Sequence, residues 1–190
     1  MDIITKEELK TRMGEIANRI HNGEVFIYPT DTIYGLGCDA TNSQAVQKLM
    51  KIKPRNNVPY SIIVPSISWI KENCTMTKDA EKYLKQLPGP ITLILKLKNP
   101  KCVAKEVNSG IGTLGVRIPN HWAAAIVGAL RIPIITTSVN KTGEPYMTSL
   151  EDLDPEIRSH VSFCIYEGEK KGRASTIIHL EGEEVKIRER

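Results

Sequence analysis

The sequence contains few cysteine, histidine and aromatic residues. Among 190 residues there are four cysteines and four histidines, and aromatic residues make up only 5%. Cys38, Cys74, Cys102 and Cys164 are widely separated, with no CxxC pair and no neighbouring pair of histidines. This spacing predicts free thiols rather than a zinc site or a disulfide framework. The low aromatic content disfavours a protein that binds single-stranded nucleic acid by base stacking.

Long apolar segments are also absent. No apolar run approaches the roughly 20 residues that a transmembrane helix needs. The charged N-terminal sequence MDIITKEELK lacks the apolar core of a signal peptide. We therefore expect a cytoplasmic protein that does not contact a membrane. Hydrophobic residues make up 41% of the chain, which is enough for a sizeable core, and we predict a single domain over residues 1–190.

The motifs of covalent and metal-dependent hydrolases are missing. The sequence contains no GxSxG elbow, no Walker lysine motif and no HExxH, and none of its four histidines has an evident carboxylate partner. Covalent or metal-hydrolytic catalysis is therefore disfavoured, and no metal ligand of the protein itself is predicted. The net charge of +4 suits an anionic partner such as a nucleotide or RNA, but it does not identify one.

The pattern of apolar residues predicts alternating helices and strands. Thr5 and Glu8 form a capping-box pattern, which predicts a first helix that ends at about His21. Further helices are predicted at about 44–50, 77–87 and 121–130, and strands at 25–29, 61–64, 91–97, 114–119, 132–140, 163–166, 175–180 and 185–188. Residues 30–37 are predicted as a polar, glycine-containing loop. Because the order is not a strict βαβ repeat, it favours one mixed, twisted sheet covered by helices.

Basic residues occur at two informative places. KIKPRNN brings Lys51, Lys53 and Arg55 together ahead of a strand, and such a group can bind polyphosphate because arginine offers a planar fork and lysine a mobile charge. A solvated basic turn is the alternative. Arg117 lies inside an apolar strand, where a guanidinium needs an anionic partner. That partner is either an internal Asp or Glu or the carboxylate of a ligand such as an amino acid.

Hydroxyl groups follow two of the predicted strands. The run Thr136 to Asn140 suits the binding of phosphate, ribose or an amino-acid side chain, while capping of the following turn is the alternative. Ser175 and Thr176 allow the same binding function or a simple role as β-formers. A site of cations, hydroxyls and backbone amides favours a reaction driven by positioning and charge stabilisation. Attack on a nucleotide phosphate is the leading example.

Six segments in the same order resemble the YrdC family. They are YPTDTIYGLGCDATN, IKPR, LPGPITLIL, LGVRIP, TTSVNKTGEP and ASTII, and the matching region extends from about Val25 to Arg188. The resemblance implies an α/β fold with a twisted, open, mixed sheet, flanking helices and a deep, positively charged cavity. It also implies L-threonylcarbamoyladenylate synthase activity, in which L-threonine, bicarbonate or CO2, and ATP give threonylcarbamoyl-AMP and pyrophosphate. Mg2+ is expected to accompany the ATP.

The resemblance assigns roles to particular residues. The threonine site should contain Thr32, Arg117, Thr136 and Ser175. The ATP site should contain Lys53, Arg55, Asn57, Thr113, Ser138, Asn140, Tyr146 and Arg188, of which Lys53 and Arg55 are the expected catalytic residues. The segment after Arg55 is one residue shorter than the usual family pattern, so that Asn56 competes with Asn57 for its assignment. The strand SIIV also lacks a histidine found in some members, and His179 stands where an aspartate is frequent.

The resemblance further implies partners and leaves two alternatives. The product should pass to the transferase machinery that makes N6-threonylcarbamoyladenosine in tRNA. Because the chain ends at Arg190, just beyond the matching segments, we expect the form without an additional C-terminal domain. A non-catalytic module that binds tRNA or double-stranded RNA through the same basic cavity is the first alternative. A related carbamoyl-transfer domain is the second, although such domains normally lie in longer chains with zinc-finger-like cysteine motifs.

Overall fold

The computed structural model describes residues 1–55 and 58–189, and within them ten strands form one sheet. Neighbouring strands follow the order β1-β8-β2-β3-β7-β4-β6-β5-β9-β10 and pair in both parallel and antiparallel directions. Their bounds are Asp2–Ile4 (β1), Phe26–Tyr28 (β2), Gly35–Gly37 (β3), Ser61–Ile63 (β4), Ile91–Lys96 (β5), Thr113–Arg117 (β6), Ile134–Ser138 (β7), Phe163–Ile165 (β8), Thr176–His179 (β9) and Lys186–Arg188 (β10). The expectation of a mixed, open sheet flanked by helices is confirmed.

The helices begin where the sequence supplies capping groups. Thr5 Oγ1 accepts a hydrogen bond from Glu8 N at 3.2 Å, and Thr5 N donates to Glu8 Oε2 at 2.8 Å, so the predicted capping box is confirmed. The first helix ends before Asn22 and Gly23, as expected. The helices are Lys6–His21 (α1), Ser43–Ile52 (α2), Ile67–Asn73 (α3), Lys78–Leu84 (α4), Ala124–Leu130 (α5) and Pro155–His160 (α6).

Four short elements were not predicted: β1, β3, α3 and α6. Each contains only three to seven residues, which is too short for a clear apolar period. The prediction of a loop over residues 30–37 is wrong at its end, because Gly35–Gly37 pairs with both β2 and β7. Glycine has a low strand propensity, so tertiary packing rather than local preference makes this segment a strand.

Close packing explains why β3 contains two glycines. A Cβ atom at Gly37 would lie 2.6 Å from Ile135 O and 2.7 Å from the ring of Tyr28. At Gly35 it would lie 3.1 Å from the same ring. The YGLG sequence therefore makes room for the Tyr28 side chain and is part of the sheet.

The two faces of the sheet are covered differently. On one face, α2, α3, α4 and α6 pack into a large core with strand residues such as Ile62, Leu93 and Val116. On the other face, α1 and α5 pack over Phe26 and Phe163, which belong to β2 and β8. The cluster that they form also includes Ile134 of β7 and Ile63 of β4, and the part of the second face that remains available for a cavity includes Ser61, Gly115 and Ile94. Among residues 1–55 and 58–189, no helix combines the length and the apolar character needed to cross a membrane.

Candidate functional site

A cavity of about 340 Å³ occupies the part of the second sheet face that α1 and α5 leave uncovered. Its floor includes a row of paired residues on five adjacent strands, namely Thr136, Ser61, Gly115, Ile94 and His179. Four strand-to-strand steps span about 19 Å at the usual spacing. The cavity has the size of a small-molecule site, and its long floor can hold two ligand groups side by side.

Gly115 leaves space in the middle of this floor because it has no side chain. A Cβ atom there would lie 2.6 Å from Ser61 Oγ and 3.1 Å from Ile94 Cδ1. Only glycine therefore fits between the two neighbouring strands without displacing a side chain. Thr113 and Arg117 lie two residues away on the same strand, so that all three face the cavity.

Arg117 is buried at one end of the cavity, with only 4% of its surface exposed. Its Nη2 donates to Asp31 Oδ1 at 2.5 Å, and its Nη1 donates to Thr32 Oγ1 at 3.2 Å. Burial lowers the pKa of this guanidinium, and the charge of Asp31 opposes that effect. The Nε atom is buried without a hydrogen-bond partner among the described residues. The predicted internal carboxylate therefore exists, but the described residues do not satisfy every donor of the guanidinium.

Two pairs of hydroxyl groups lie close to this end. Thr30 Oγ1 and Thr32 Oγ1 are 2.9 Å apart, and Thr30 Oγ1 donates to Ile33 O at 2.8 Å. Across the cavity, Thr92 Oγ1 and Ser175 Oγ are 2.8 Å apart. The four residues that carry these hydroxyls are buried, and all four line the cavity. They can orient a small polar ligand whose carboxylate binds Arg117.

Lys53 forms a second cationic centre beside Ser138. Its Nζ donates to Ser138 O at 2.9 Å and to Ser138 Oγ at 3.0 Å, and it also contacts Asn140 Oδ1. Lys53 is only 4% exposed, whereas Lys51 is exposed. The alternative of a solvated basic turn is therefore wrong for Lys53. The ammonium group lies behind Ser138, which itself lines the cavity.

Local contacts hold residues 53–55, the KPR segment, in place. Tyr60 Oη donates to Lys53 O at 2.5 Å, and Arg55 Nη1 donates to Pro59 O at 3.0 Å. The guanidinium carbon of Arg55 also lies 5.4 Å from the centre of the Tyr60 ring, a cation–π distance. Burial lowers the pKa of Arg55. Arg55 lines the cavity and can direct its remaining donors toward an anionic ligand.

A segment near residues 167–175 forms one wall. Tyr34 Oη donates to Gly168 O at 2.7 Å, and Tyr146 Oη donates to Gly172 O at 2.8 Å. A Cβ atom at Gly172 would lie 1.8 Å from Thr32 O, so the segment packs directly against the loop that contains Thr32. This contact connects the segment that ends at Ser175 with the loop whose Thr32 side chain contacts Arg117.

The structure brings most of the predicted site residues together. Nine of them line the cavity: Thr32, Arg55, Thr113, Arg117, Thr136, Ser138, Tyr146, Ser175 and Arg188. Lys53 and Asn140 do not line it, but both contact Ser138. Asn57, as well as its competitor Asn56, lies outside the described residues. The functional roles of these side chains remain predictions.

Sequence reasoning missed several residues of the cavity. Thr92 and Ile94 alternate along β5 and face the same way as Ser61 on β4, and strict alternation along these strands was the available signal. Asp31 belongs to the PTDT segment, but no local rule connects it to Arg117, 86 residues away. Glu181 also lines the cavity, and nothing in its sequence surroundings indicated this.

The charged groups of the cavity are mainly cationic. Arg55, Arg117 and Arg188 line it together with His179, and Glu181 is the lining carboxylate. Within the described ranges, no three His, Cys, Asp or Glu side chains are grouped so that they could hold a metal ion. The four cysteines are free thiols, as predicted. The site can therefore bind anions through donors.

Residues 18–190 match the Sua5_yciO_yrdC family model, whose description reads "Telomere recombination". The chain is 36% identical over 188 residues to a Methanocaldococcus jannaschii protein provisionally named threonylcarbamoyl-AMP synthase, covering 96% of this chain and 86% of that protein. It is 33% identical to a Bacillus subtilis threonylcarbamoyl-AMP synthase, covering 80% of this chain and 46% of the relative. The crystal structure of P. abyssi Sua5 complexed with L-threonine superposes with a TM-score of 0.86 at 27% identity, covering 98% of this chain and 56% of that one.

Proposed function

The chain belongs to the Sua5_yciO_yrdC family, and we propose that it is an L-threonylcarbamoyladenylate synthase. It forms threonylcarbamoyl-AMP and pyrophosphate from L-threonine, bicarbonate or CO2, and ATP. The observation that carries the proposal is one cavity with two cationic centres, Arg117 at one place and Lys53 behind Ser138 at another. This arrangement suits a reaction that joins an amino acid to a nucleotide.

Threonine binds at the Arg117 end. Its carboxylate accepts from the guanidinium, whose buried Nε has no other partner in the described part of the chain. The hydroxyls of Thr32 and Ser175 orient the ligand, and Thr136 lies on the cavity floor beside them. A relative with the same fold has been crystallised in complex with L-threonine, which supports threonine as a ligand. The amine then points along the floor toward the nucleotide.

ATP binds along the rest of the floor. Arg55 and the Lys53–Ser138–Asn140 group neutralise its phosphates, while Thr113, Tyr146 and Arg188 line the space for the remainder. Asn57 is an expected further contact. Charged donors that are already held in position cost little reorganisation when charge develops on a phosphate.

The reaction needs no protein nucleophile. The neutral threonine amine attacks the carbon of CO2 and releases a proton, or attacks that of bicarbonate and releases water, and it gives a carbamate in either case. A carbamate oxygen then attacks the α-phosphorus of ATP, the bond between that phosphorus and the bridging oxygen breaks, and pyrophosphate leaves. Lys53 and Arg55 stabilise the charge that moves onto the leaving group. The enclosed floor around Gly115 keeps water away from the labile carbamate and anhydride.

Mg2+ accompanies the ATP in this proposal. Such an ion keeps several waters and takes its other ligands from phosphates and from one or two carboxylates. It therefore does not require the cluster of protein ligands that the described residues lack, and the residues present fit an ion carried by the nucleotide. When bound, the ion supplies positive charge to the phosphates.

The same cavity is a poor binding site for RNA. The most buried of its cations, Arg117, is 4% exposed and paired with Asp31, whereas RNA phosphates are bound by cations at an accessible surface. This favours a small anionic ligand over the non-catalytic module that binds tRNA or double-stranded RNA. We also propose that the product passes to the transferase machinery for N6-threonylcarbamoyladenosine, and that the protein acts in the cytoplasm.

The test is the release of pyrophosphate from ATP with threonine and bicarbonate supplied together or singly. The proposal requires release that depends on both compounds, and mass spectrometry should detect threonylcarbamoyl-AMP. Salt-sensitive RNA binding without pyrophosphate release would support the RNA-binding module instead. Release that depends on carbamoyl phosphate and not on threonine would support the carbamoyl-transfer alternative.

A further inference from the structure

One carboxylate in the cavity has no role in the proposed reaction. Ile177, His179 and Glu181 occupy alternate positions along β9 and just after it, and all three line the cavity. Glu181 Oε1 lies 2.8 Å from His179 Nδ1. Glu181 Oε2 is buried and has no hydrogen-bond partner within residues 1–55 and 58–189. A buried acceptor without a donor is unfavourable, so the carboxylate gains from a rotation that turns this oxygen into the cavity that Glu181 lines, where a ligand can supply a donor.

The chemistry of the missing partner follows from the carboxylate. An ionised carboxylate only accepts hydrogen bonds, and it repels the phosphates and carboxylates that the neighbouring arginines attract. The partner must therefore be a donor on an uncharged part of the ligand, such as a hydroxyl or an amino group. His179 occupies one of the two carboxylate oxygens, which leaves Oε2 for that donor.

The position of Glu181 excludes the threonine half of the reaction. Glu181 lies six positions after Ser175 and beyond the end of β9, which corresponds to at most about 20 Å of extended chain. His179 pairs with Ile94, which pairs with Gly115, so the group lies at the β9 side of the floor. A threonine molecule held by Arg117 and Ser175 does not extend that far. The donors left among the proposed substrates are the ribose hydroxyls and the adenine amino group of ATP.

Building on the proposed function, we infer that Glu181, oriented by His179, accepts a hydrogen bond from the nucleoside half of ATP. The donor is a ribose hydroxyl or the adenine amino group. Glu181 then contributes to the choice of nucleotide, and His179 is a positioning residue that acts through it. This role separates nucleoside recognition at Glu181 from phosphate binding at Lys53 and Arg55.

The experiment compares ATP with three analogues, 2′-deoxy-ATP, 3′-deoxy-ATP and inosine triphosphate, which each lack one candidate donor. Pyrophosphate release is measured for the unaltered protein, Glu181→Ala and the control Glu183→Ala, an exposed residue of the same turn. The unaltered protein should use one analogue about tenfold less efficiently than ATP, the loss expected for a hydrogen bond to a charged group. Glu181→Ala should lose a similar factor with ATP and should no longer distinguish ATP from that analogue. The control should behave like the unaltered protein.

Two outcomes would overturn the inference. In one, the unaltered protein uses all four nucleotides equally, a result that needs no variant to fold. In the other, Glu181→Ala keeps the full discrimination of the unaltered protein. Binding of a non-hydrolysable ATP analogue and its deoxy forms, measured by calorimetry, tests Glu181 without catalysis. Nucleotide discrimination in binding without any threonine-dependent turnover would thus reject the proposed function and keep the inference.

Discussion

Asp31 and Arg117 form an ion pair with 2.5 Å between Oδ1 and Nη2, although 86 residues separate them in the chain. Asp31 Oδ2 also accepts from Asn120 N at 2.9 Å, so the carboxylate joins the loop after β2 to the segment after β6. The side chains of Asp31 and Arg117 are 10% and 5% exposed. This pair holds the guanidinium in one orientation beside the cavity.

Replacing Asp31 should therefore weaken threonine binding more than ATP binding. Asp31→Asn keeps the shape of the side chain but removes the charge, and the loss of one partner of a buried pair costs about 3–5 kcal/mol of stability. We expect a lower Tm and a KM for threonine raised by about tenfold or more, with a smaller change in the KM for ATP. The measurement is steady-state kinetics with each substrate varied, and Asp79→Asn, on the exposed face of α4, is the control. Equal changes in both KM values would contradict a positioning role.

Removing the buried charge of the KPR segment should impair the use of ATP. Lys53→Ala leaves Ser138 and Asn140 without their shared ammonium donor, and the nearby phosphates lose a neutralising charge. The KM for ATP should rise, or kcat should fall, by at least about tenfold, the effect of losing one charged hydrogen bond. Lys51→Ala is a matched control because Lys51 is exposed in the same motif. Similar kinetics for both variants would show that burial of Lys53 has no functional consequence.

Alanine substitutions at Gly14 and Gly37 should change the stability of the protein in opposite directions. Gly14 lies in α1 with no atom within 4 Å of an added Cβ, so Gly14→Ala should stabilise the protein by about 0.5–1 kcal/mol. Gly37→Ala should destabilise it by about 1–3 kcal/mol or more, because the new Cβ would meet Ile135 O at 2.6 Å. Urea denaturation measures both free energies of unfolding. An unchanged free energy of unfolding for Gly37→Ala would mean that β2 and β7 can move away from β3 to accommodate the added methyl group without loss of stability.

The four thiols should differ in reactivity. Cys38, Cys74 and Cys164 are buried, and Cys102 is partly accessible. Burial raises the pKa of Cys74 and of Cys164 to about 12, and it also raises the pKa values of Cys38 and Cys102. Because the thiolate is the reactive form, Ellman's reagent should modify Cys102 first and slowly at pH 8. The other three should react only after unfolding in denaturant; rapid modification of all four in the native state would be inconsistent with this packing.

The attachment of β1 should depend on pH at the acidic end. A hydrogen bond from Arg12 holds the pKa of Asp2 below its usual value of 3.8, and a second from Arg19 adds to this effect. A carboxylate with a lowered folded-state pKa stabilises the fold above its unfolded pKa, and this contribution disappears as the pH falls through the lower value. Asp2→Asn should therefore lower the free energy of unfolding at pH 6 by under about 1 kcal/mol, the value typical of exposed ion pairs. The Tm measured at this pH should fall accordingly. The difference from the unaltered protein should shrink as the pH falls below 3.8 and vanish once the pH is below the lowered pKa of Asp2 in the folded state. A difference that does not change with pH in the acidic range would have another cause.

Much of the architecture could be predicted because it depends on neighbouring residues. The capping box of Thr5 and Glu8 and the apolar period of α1 identified that helix correctly. The strands around Arg117 and Ser138 were also predicted, since their apolar runs are interrupted at informative positions. The β3 strand was missed because its glycines are selected by the ring of Tyr28, a contact that no local pattern reveals.

The residues of the site can likewise be divided into those that the sequence indicated and those that only the tertiary structure revealed. The sequence drew attention to Arg117, Ser138 and Ser175 because they are polar groups at the ends of apolar strands, and the resemblance to the YrdC family added others such as Thr113 and Tyr146; together these predictions include nine of the residues that line the cavity. Tertiary structure decided the rest: which carboxylate pairs with Arg117, why Lys53 contacts Ser138, and that Glu181 lines the cavity. Local preferences come from residues a few positions apart, whereas these contacts join segments separated by up to 86 residues, and only the order of strands in the sheet brings such segments together.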